Sequence, residues 1–280
     1  MELLCLDIES EFGAFNKPFS NTGGLLTYLF PPKTAIIGML GATIGYTFEN
    51  TLKTFSNIKV CVEPLKSIET KIITYLCHYG YGGHPEIEKK GIPVNIRQEI
   101  LINPKYRLYL DLESIHENEM LLSDINILLK KCKILNIAKD VNGGFKVLFQ
   151  NKISYYSLYM GKNEFPLNYQ LMNVKLKSLD KSDFNKYVPT NCVMPRDSVL
   201  NYKIASPFEM GWLKLTHYEP FSFFILSDVP TTQNTNREFS NFKDFLLKDH
   251  TRKTTMDVEP KLDDNYSFYK TEEGNLIVCF

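Results

Sequence analysis

A chain of 280 residues that is 44% apolar and 23% charged can bury one large core or two small ones, and has the balance of an ordinary globular protein. Its 32 basic and 32 acidic side chains cancel, which excludes a protein that grips nucleic acid by bulk positive charge, though not one with a local basic groove. The six cysteines (Cys5, Cys61, Cys77, Cys132, Cys192 and Cys279) form no C-x-x-C pair, so neither a structural zinc nor a disulfide framework is expected.

The opening MELLCLDIESE carries no basic region or cleavage site, and the expected setting is a reducing cytoplasm without membrane attachment. Glu2 to Ile8 reads as a buried strand, followed by an aromatic, polar loop from Phe12 to Gly24. A short extended piece, Leu25 to Phe30, meets Pro31-Pro32, which cannot continue a ladder but suits the start of a helix. The helix is expected over Thr34 to Phe48, too short to span a bilayer. Gly38, Gly41 and Gly45 share one of its faces, where a second backbone can approach closely, either the chain's own sheet or a partner subunit. Asn57 to Leu65 reads as the next strand. Ile68 to Cys77 and Asn95 to Ile102 read as hairpin arms, joined by an exposed, mobile Gly- and Pro-rich tip.

Tyr106 to Leu112 alternates as a strand, and Asp124 to Asn136 reads as a second helix. Strand, helix, strand, given twice, is the order of a ferredoxin-like or RRM-like fold. From Phe145 the pattern turns mainly β, with candidate strands at Lys146 to Gln150, Leu171 to Leu176, Leu213 to Thr216 and Phe221 to Leu226. Thr231 to Arg237 reads as a loop, and Ser267 to Thr271 with Asn275 to Phe280 as a closing hairpin. The expected class is therefore α+β, with an RRM-like domain over 1–150 and a mainly β region over 151–280.

Alternation places Lys105, Arg107 and Tyr109 on one face of their strand and Tyr106 with Leu108 on the other. Such a face, with Arg97 nearby, can pair phosphates with cations while a ring stacks on a base, or can be a solvated face paired with Glu99 or Asp111. Phe12, Phe15, Phe19 and Lys17 in the aromatic loop, and Lys33 at the helix start, suit a phosphate at exposed N–H groups; the alternative is that the rings plug the core edge. The hairpin residues His78, His84, Lys89 and Lys90 offer cations to a backbone, and Lys162 follows Gly161 in a turn. No G-x-S-x-G, H-E-x-x-H or Walker loop is present, the acidic residues form no metal-like cluster, and the five histidines stand apart.

The run from Thr27 to Gly45, with Thr27, Tyr28, Phe30, Pro31, Pro32, Thr34, Gly38, Leu40, Gly41, Ala42 and Gly45, resembles the amino-terminal segment of CRISPR-associated protein family five, a branch of the RAMP superfamily of RNA-binding proteins. RQEILINPKYRLYL, YYSLYMGKNEFPL and the ending EGNLIVCF resemble further segments of that family. The resemblance, nearest to the type I-B branch, implies a Cascade subunit that holds the 5′ handle of the guide RNA. Expected partners are the backbone filament subunit and the large subunit, with target DNA met indirectly. The hairpin, about 68–102, would serve as a thumb over the guide. Expected RNA contacts are Phe12, Phe15, Lys17, Tyr28, Lys33, Tyr46, Arg97, Lys105, Arg107, Tyr109 and Lys162, with Gly38, Gly41 and Gly45 at a partner. One family branch cuts RNA with a tyrosine, a lysine and a histidine, the last two adjacent. Tyr46 is a possible counterpart of the tyrosine, but the chain has no Lys-His dipeptide, so no catalysis, cofactor or metal is expected.

Overall fold

A computed structural model of the chain describes residues 3–20, 24–44, 46–79, 92–111, 145–149, 152–156, 158–172, 174–179, 187–210, 213–218, 223–248, 255–261 and 263–280. The first apolar run forms β1 (Leu4–Glu9). It is followed by α1 (Lys33–Ile44), α2 (Phe48–Phe55), β2 (Lys59–Pro64), the long strands β3 (Glu69–Tyr79) and β4 (Ile92–Ile102), then β5 (Lys105–Asp111). Much later, β6 (Asn168–Met172) returns to pair with β1.

The central sheet is antiparallel with order β6-β1-β5-β2, so β5 lies between the two strands that the helices connect. Both of its faces are covered, which explains why the apolar residues of β1 run consecutively from Leu4 to Leu6. On one face Leu4, Leu6, Ile8, Val60, Val62, Leu108 and Leu110 join Ile36, Ile37 and Leu40 of α1 in the main core. On the other, Cys5, Cys61 and Tyr109 pack with Cys192, Tyr269, Ile277 and Cys279. Each large apolar side chain buried in this way contributes about 1.5–3 kcal/mol. The sheet crosses the expected 150/151 boundary, because β6 lies beyond it; Val60 also exchanges two 3.0 Å backbone hydrogen bonds with Phe280.

The single helix expected over Thr34 to Phe48 is two helices. The Tyr46 N–H donates to the Gly41 carbonyl at 2.9 Å and closes α1, while extended Thr47 caps α2 by accepting the Asn50 N–H at 3.4 Å. β3 and β4 pair from Glu69 with Ile102 to Tyr79 with Ile92, as the expected hairpin arms; their tip lies outside the described residues, as does the expected helix Asp124 to Asn136.

The carboxy-terminal part is built of strands. One sheet orders Val188–Thr190, Thr255–Pro260, Val199–Met210 and Leu213–Tyr218; another orders Met194–Pro195, Phe239–Lys248 and Phe223–Gln233. A third joins Leu176–Ser178, Ser267–Thr271 and Leu276–Cys279, the last two being the expected closing hairpin. The strand expected over Leu171 to Leu176 is instead the end of β6 and the start of a strand in this other sheet. The first three residues of the expected loop Thr231 to Arg237 continue a strand, and the turn begins at Asn234, whose N–H bonds the Glu238 carbonyl. Among the described residues no helix is long and apolar enough to cross a membrane.

Candidate nucleic-acid interface

Lys105, Arg107 and Tyr109 do share one face of β5, but that face is occupied. Register sets Arg107 between Asp7 of β1 and Glu63 of β2. Its guanidinium grips Asp7 with two bonds, Nε to Oδ1 at 2.7 Å and Nη2 to Oδ2 at 3.0 Å. That bond keeps Arg107 protonated more firmly than usual. Lys105 pairs with Glu9 at 2.9 Å. The Tyr109 ring is 1% exposed and its hydroxyl donates to Glu63 at 2.6 Å. Burial raises the Glu63 carboxyl above its ordinary value, against the lowering effect of that hydrogen bond. The expectation of a free binding face is corrected: its cations are neutralised across the sheet and its ring is in the core.

Two of the N–H groups at the helix start are also taken. The Ala35 and Ile36 N–H groups both bond the Pro32 carbonyl, at 2.9 and 3.1 Å, leaving neither for a phosphate. Lys33 is largely enclosed and donates to the Phe280 carbonyl at 3.3 Å; burial, aided by Lys243 and Lys59, lowers its pKa to about 8. Phe15 and Tyr28 are core residues, and the Tyr28 hydroxyl, pushed up by burial to about 12, donates to the Asp228 carbonyl at 2.5 Å. Tyr46 is half-buried with its ring 6.5 Å from Phe55. Phe12 is exposed, yet it lines an open cleft of about 610 Å³ with Glu9, Glu11, Glu164 and Lys66, its ring 6.3 Å from Phe165. The carboxylates make that cleft unfavourable for a phosphate.

The expected glycine face divides. A Cβ on Gly41 would overlap Thr51 of α2, so this position serves helix packing within the chain and not a partner. Gly38 is exposed with nothing within 4 Å of an added Cβ, and Gly45 lies outside the described residues.

The remaining expected cations lie along the hairpin, with Arg97 on the opposite face of β4 from the Gln98 side chain that Lys162 meets. The Lys17 ammonium lies 5.6 Å from the Tyr28 ring centroid, and the Lys17 N–H bonds the Leu26 carbonyl at 2.9 Å. One residue earlier, the Leu25 N–H bonds the carbonyl of exposed Arg97 at 2.8 Å. Lys162 Nζ donates to Gln98 Oε1 at 2.7 Å and lies 3.5 Å from the Tyr75 hydroxyl, which in turn donates to Gln98 at 3.2 Å. The turn that seats Lys162 needs Gly161, at φ +88°, because a Cβ there would strike the Ala14 carbonyl. Among the described residues Lys17, Arg97 and Lys162 form no ion pair with a carboxylate.

Tyr75, Gln98 and Asn16, whose side chain meets Gln98 at 3.4 Å, were missed on the sequence. One signal was available: Gln98 interrupts the row Ile96, Gln98, Ile100 on one face of β4, and a buried glutamine in an apolar row needs partners. Of the histidines, His84, His116 and His250, with Lys89 and Lys90, lie outside the described residues. No group of three or more His, Cys, Asp or Glu among the described residues is placed to hold a metal ion.

The described residues thus form a largely β fold with a split β-α-β sheet and a paired β-ribbon. Residues 3–89 match the family model described as CRISPR-associated protein (Cas_Cas5), and the family resemblance of the sequence is shown across that segment. Similar solved structures include a CRISPR protein from Archaeoglobus fulgidus, 13% identical with a TM-score of 0.49 and 99% of each chain covered. A chain of a CRISPR RNA-guided surveillance complex is 13% identical with a TM-score of 0.44, covering 92% of this chain and 91% of that one. A chain of a type III-B Cmr-beta complex bound to cognate target RNA is 10% identical with a TM-score of 0.43, covering 91% and 86%. No curated protein matches the chain.

Proposed function

We propose that this chain is a non-catalytic RNA-binding subunit of a type I CRISPR surveillance complex, nearest to the type I-B branch, that caps the 5′ handle of the guide RNA. The observation that carries the reading is the family match over residues 3–89. Lys17, Arg97 and Lys162 then indicate where the RNA backbone lies, along the β3–β4 hairpin. The hairpin acts as a thumb over the guide, and the subunit contacts the backbone filament subunit and the large subunit. The strand order β6-β1-β5-β2 supports the ferredoxin-like architecture in this role. Sequence specificity resides in guide pairing, while the protein reads backbone and handle shape.

The test is binding of labelled repeat RNA across a salt series in EDTA, with a denaturing gel run in parallel. For single strands the logarithmic salt slope is about 0.7 per neutralised phosphate, so a Lys17→Ala, Arg97→Ala, Lys162→Ala variant should lose about 2 from its slope. The gel should show intact RNA. A single defined cut in EDTA would replace this reading with a metal-independent endoribonuclease. Wild-type assembly with partner subunits but no protection of the handle would leave a protein-only scaffold.

A further inference from the structure

The aromatic loop ends in the turn Lys17-Pro18-Phe19-Ser20. It is held by the Ser20 hydroxyl, which donates to the Lys17 carbonyl at 2.9 Å and accepts the Leu26 N–H at 3.1 Å. Proline second in the turn makes it stiff, so the third residue is presented in a fixed direction. That residue is Phe19, 69% exposed. Its ring meets Phe242, from a strand more than two hundred residues away, at a centroid distance of 5.4 Å and an interplanar angle of 50°. A tilted pair of this kind fixes one ring against the other and leaves the outer face of Phe19 open. Around Phe242 stand Ser240 and Asn241 on its strand, Thr232 bonded to Ser240 across the ladder, Pro230 opposite it, and Lys243, which pairs with Asp197 at 3.0 Å.

We propose that Phe19 is a stacking platform for a single-stranded RNA base, and that Phe242 is the positioning residue that holds its ring. This rests on the RNA-binding reading above. A protein surface would need no cation, whereas here Lys17, without an ion pair among the described residues, stands two positions before the ring in the same turn. A base on an aromatic face with its phosphate on the neighbouring lysine is how single strands are held without regard to sequence.

The experiment uses the full chain with fluorescein-labelled oligouridine and compares Phe19→Leu with Phe19→Trp. Leucine keeps apolar volume but removes the π face, so affinity should fall about tenfold, the effect of one lost base stack. The salt slope should stay unchanged, because no phosphate contact is lost. Tryptophan should bind at least as tightly as wild type, and Phe242→Ala should weaken binding in the same slope-preserving way. Full affinity in Phe19→Leu, with Lys17→Ala still lowering the slope, overturns this inference and leaves the RNA reading standing. Loss of partner assembly in Phe19→Asp with oligouridine binding intact makes the patch a protein surface and also overturns it. A wild-type chain that binds no RNA overturns both.

Discussion

Replacing Arg107 by alanine tests whether β5 presents a binding face or an internal one. The substitution strips a two-bonded guanidinium from Asp7, whose side chain is 14% exposed against 23% for Arg107. It also leaves Asp7 and Glu63 on either side of the same position with no cation between them. Exposed pairs are worth about 0–1 kcal/mol, and removing one partner of a buried pair costs about 3–5 kcal/mol. This half-buried pair falls between, at about 2–3 kcal/mol, or roughly 3–5 °C in Tm for a chain of this size. Urea denaturation followed by far-UV circular dichroism measures the loss. Adding Asp7→Ala should recover part of it, giving a coupling of about 1–2 kcal/mol in a double-mutant cycle. An Arg107→Ala chain with the wild-type urea midpoint but weakened RNA binding would refute the reasoning, because Arg107 would then be a free contact.

Lys33 has its folded pKa lowered to about 8 from an ordinary value of 10.5. The unfolded chain therefore binds the proton more tightly between these values, and stability rises as the pH goes up through that window. Relative to Lys33→Met, wild type should gain up to about 3 kcal/mol from pH 8 to 10.5; a constant difference between the two denaturation curves would contradict the enclosed placement. Gly38→Ala should stabilise the chain by about 0.8–1 kcal/mol, since the space is open and alanine favours the helix. If Gly38→Ala also abolishes co-purification with partner subunits, that face is an interface. Gly41→Ala should destabilise by about 1–3 kcal/mol through its collision with Thr51, and a wild-type melting temperature would count against the α1–α2 packing.

Local rules in the sequence revealed which residues share a face, and not what covers that face. Alternation along YRLYLDL correctly separated Arg107 from Leu108, but its partner Asp7 lies one hundred positions earlier and is chosen by strand register. Glu99 and Asp111, the nearby acids, were the wrong partners for the same reason. Pro31-Pro32 announced the helix start because proline acts locally. The helix end was obscured, because Thr47 as a cap is recognisable only once the α1 hydrogen bonds are known to stop. β6 was misplaced by three residues, since its pairing with β1 depends on a contact across most of the chain. At the candidate site Lys17 and Lys162 were named from the sequence, whereas the Tyr75 and Gln98 side chains that hold Lys162 become visible only when β3, β4 and the Gly161 turn are brought together.

The balance of charge has a consequence for how the proposed subunit works. Arg107 and Lys105 are already neutralised, and Lys17, Arg97 and Lys162, without an ion pair among the described residues, would together contribute about 2 to the salt slope if all three met phosphates. Between 50 and 200 mM salt that changes affinity by about 20-fold, against the 1,000-fold or more lost by a protein with 6–10 phosphate contacts. A chain of zero net charge therefore has little to retain a random transcript, and stacking on Phe19 adds affinity that salt does not weaken. Tight retention of one RNA end then requires the neighbouring subunits to supply further contacts on the same strand, each raising the effective concentration for the next. Capping by such a subunit is selective through assembly, and adding bulk positive charge to it would weaken that selectivity.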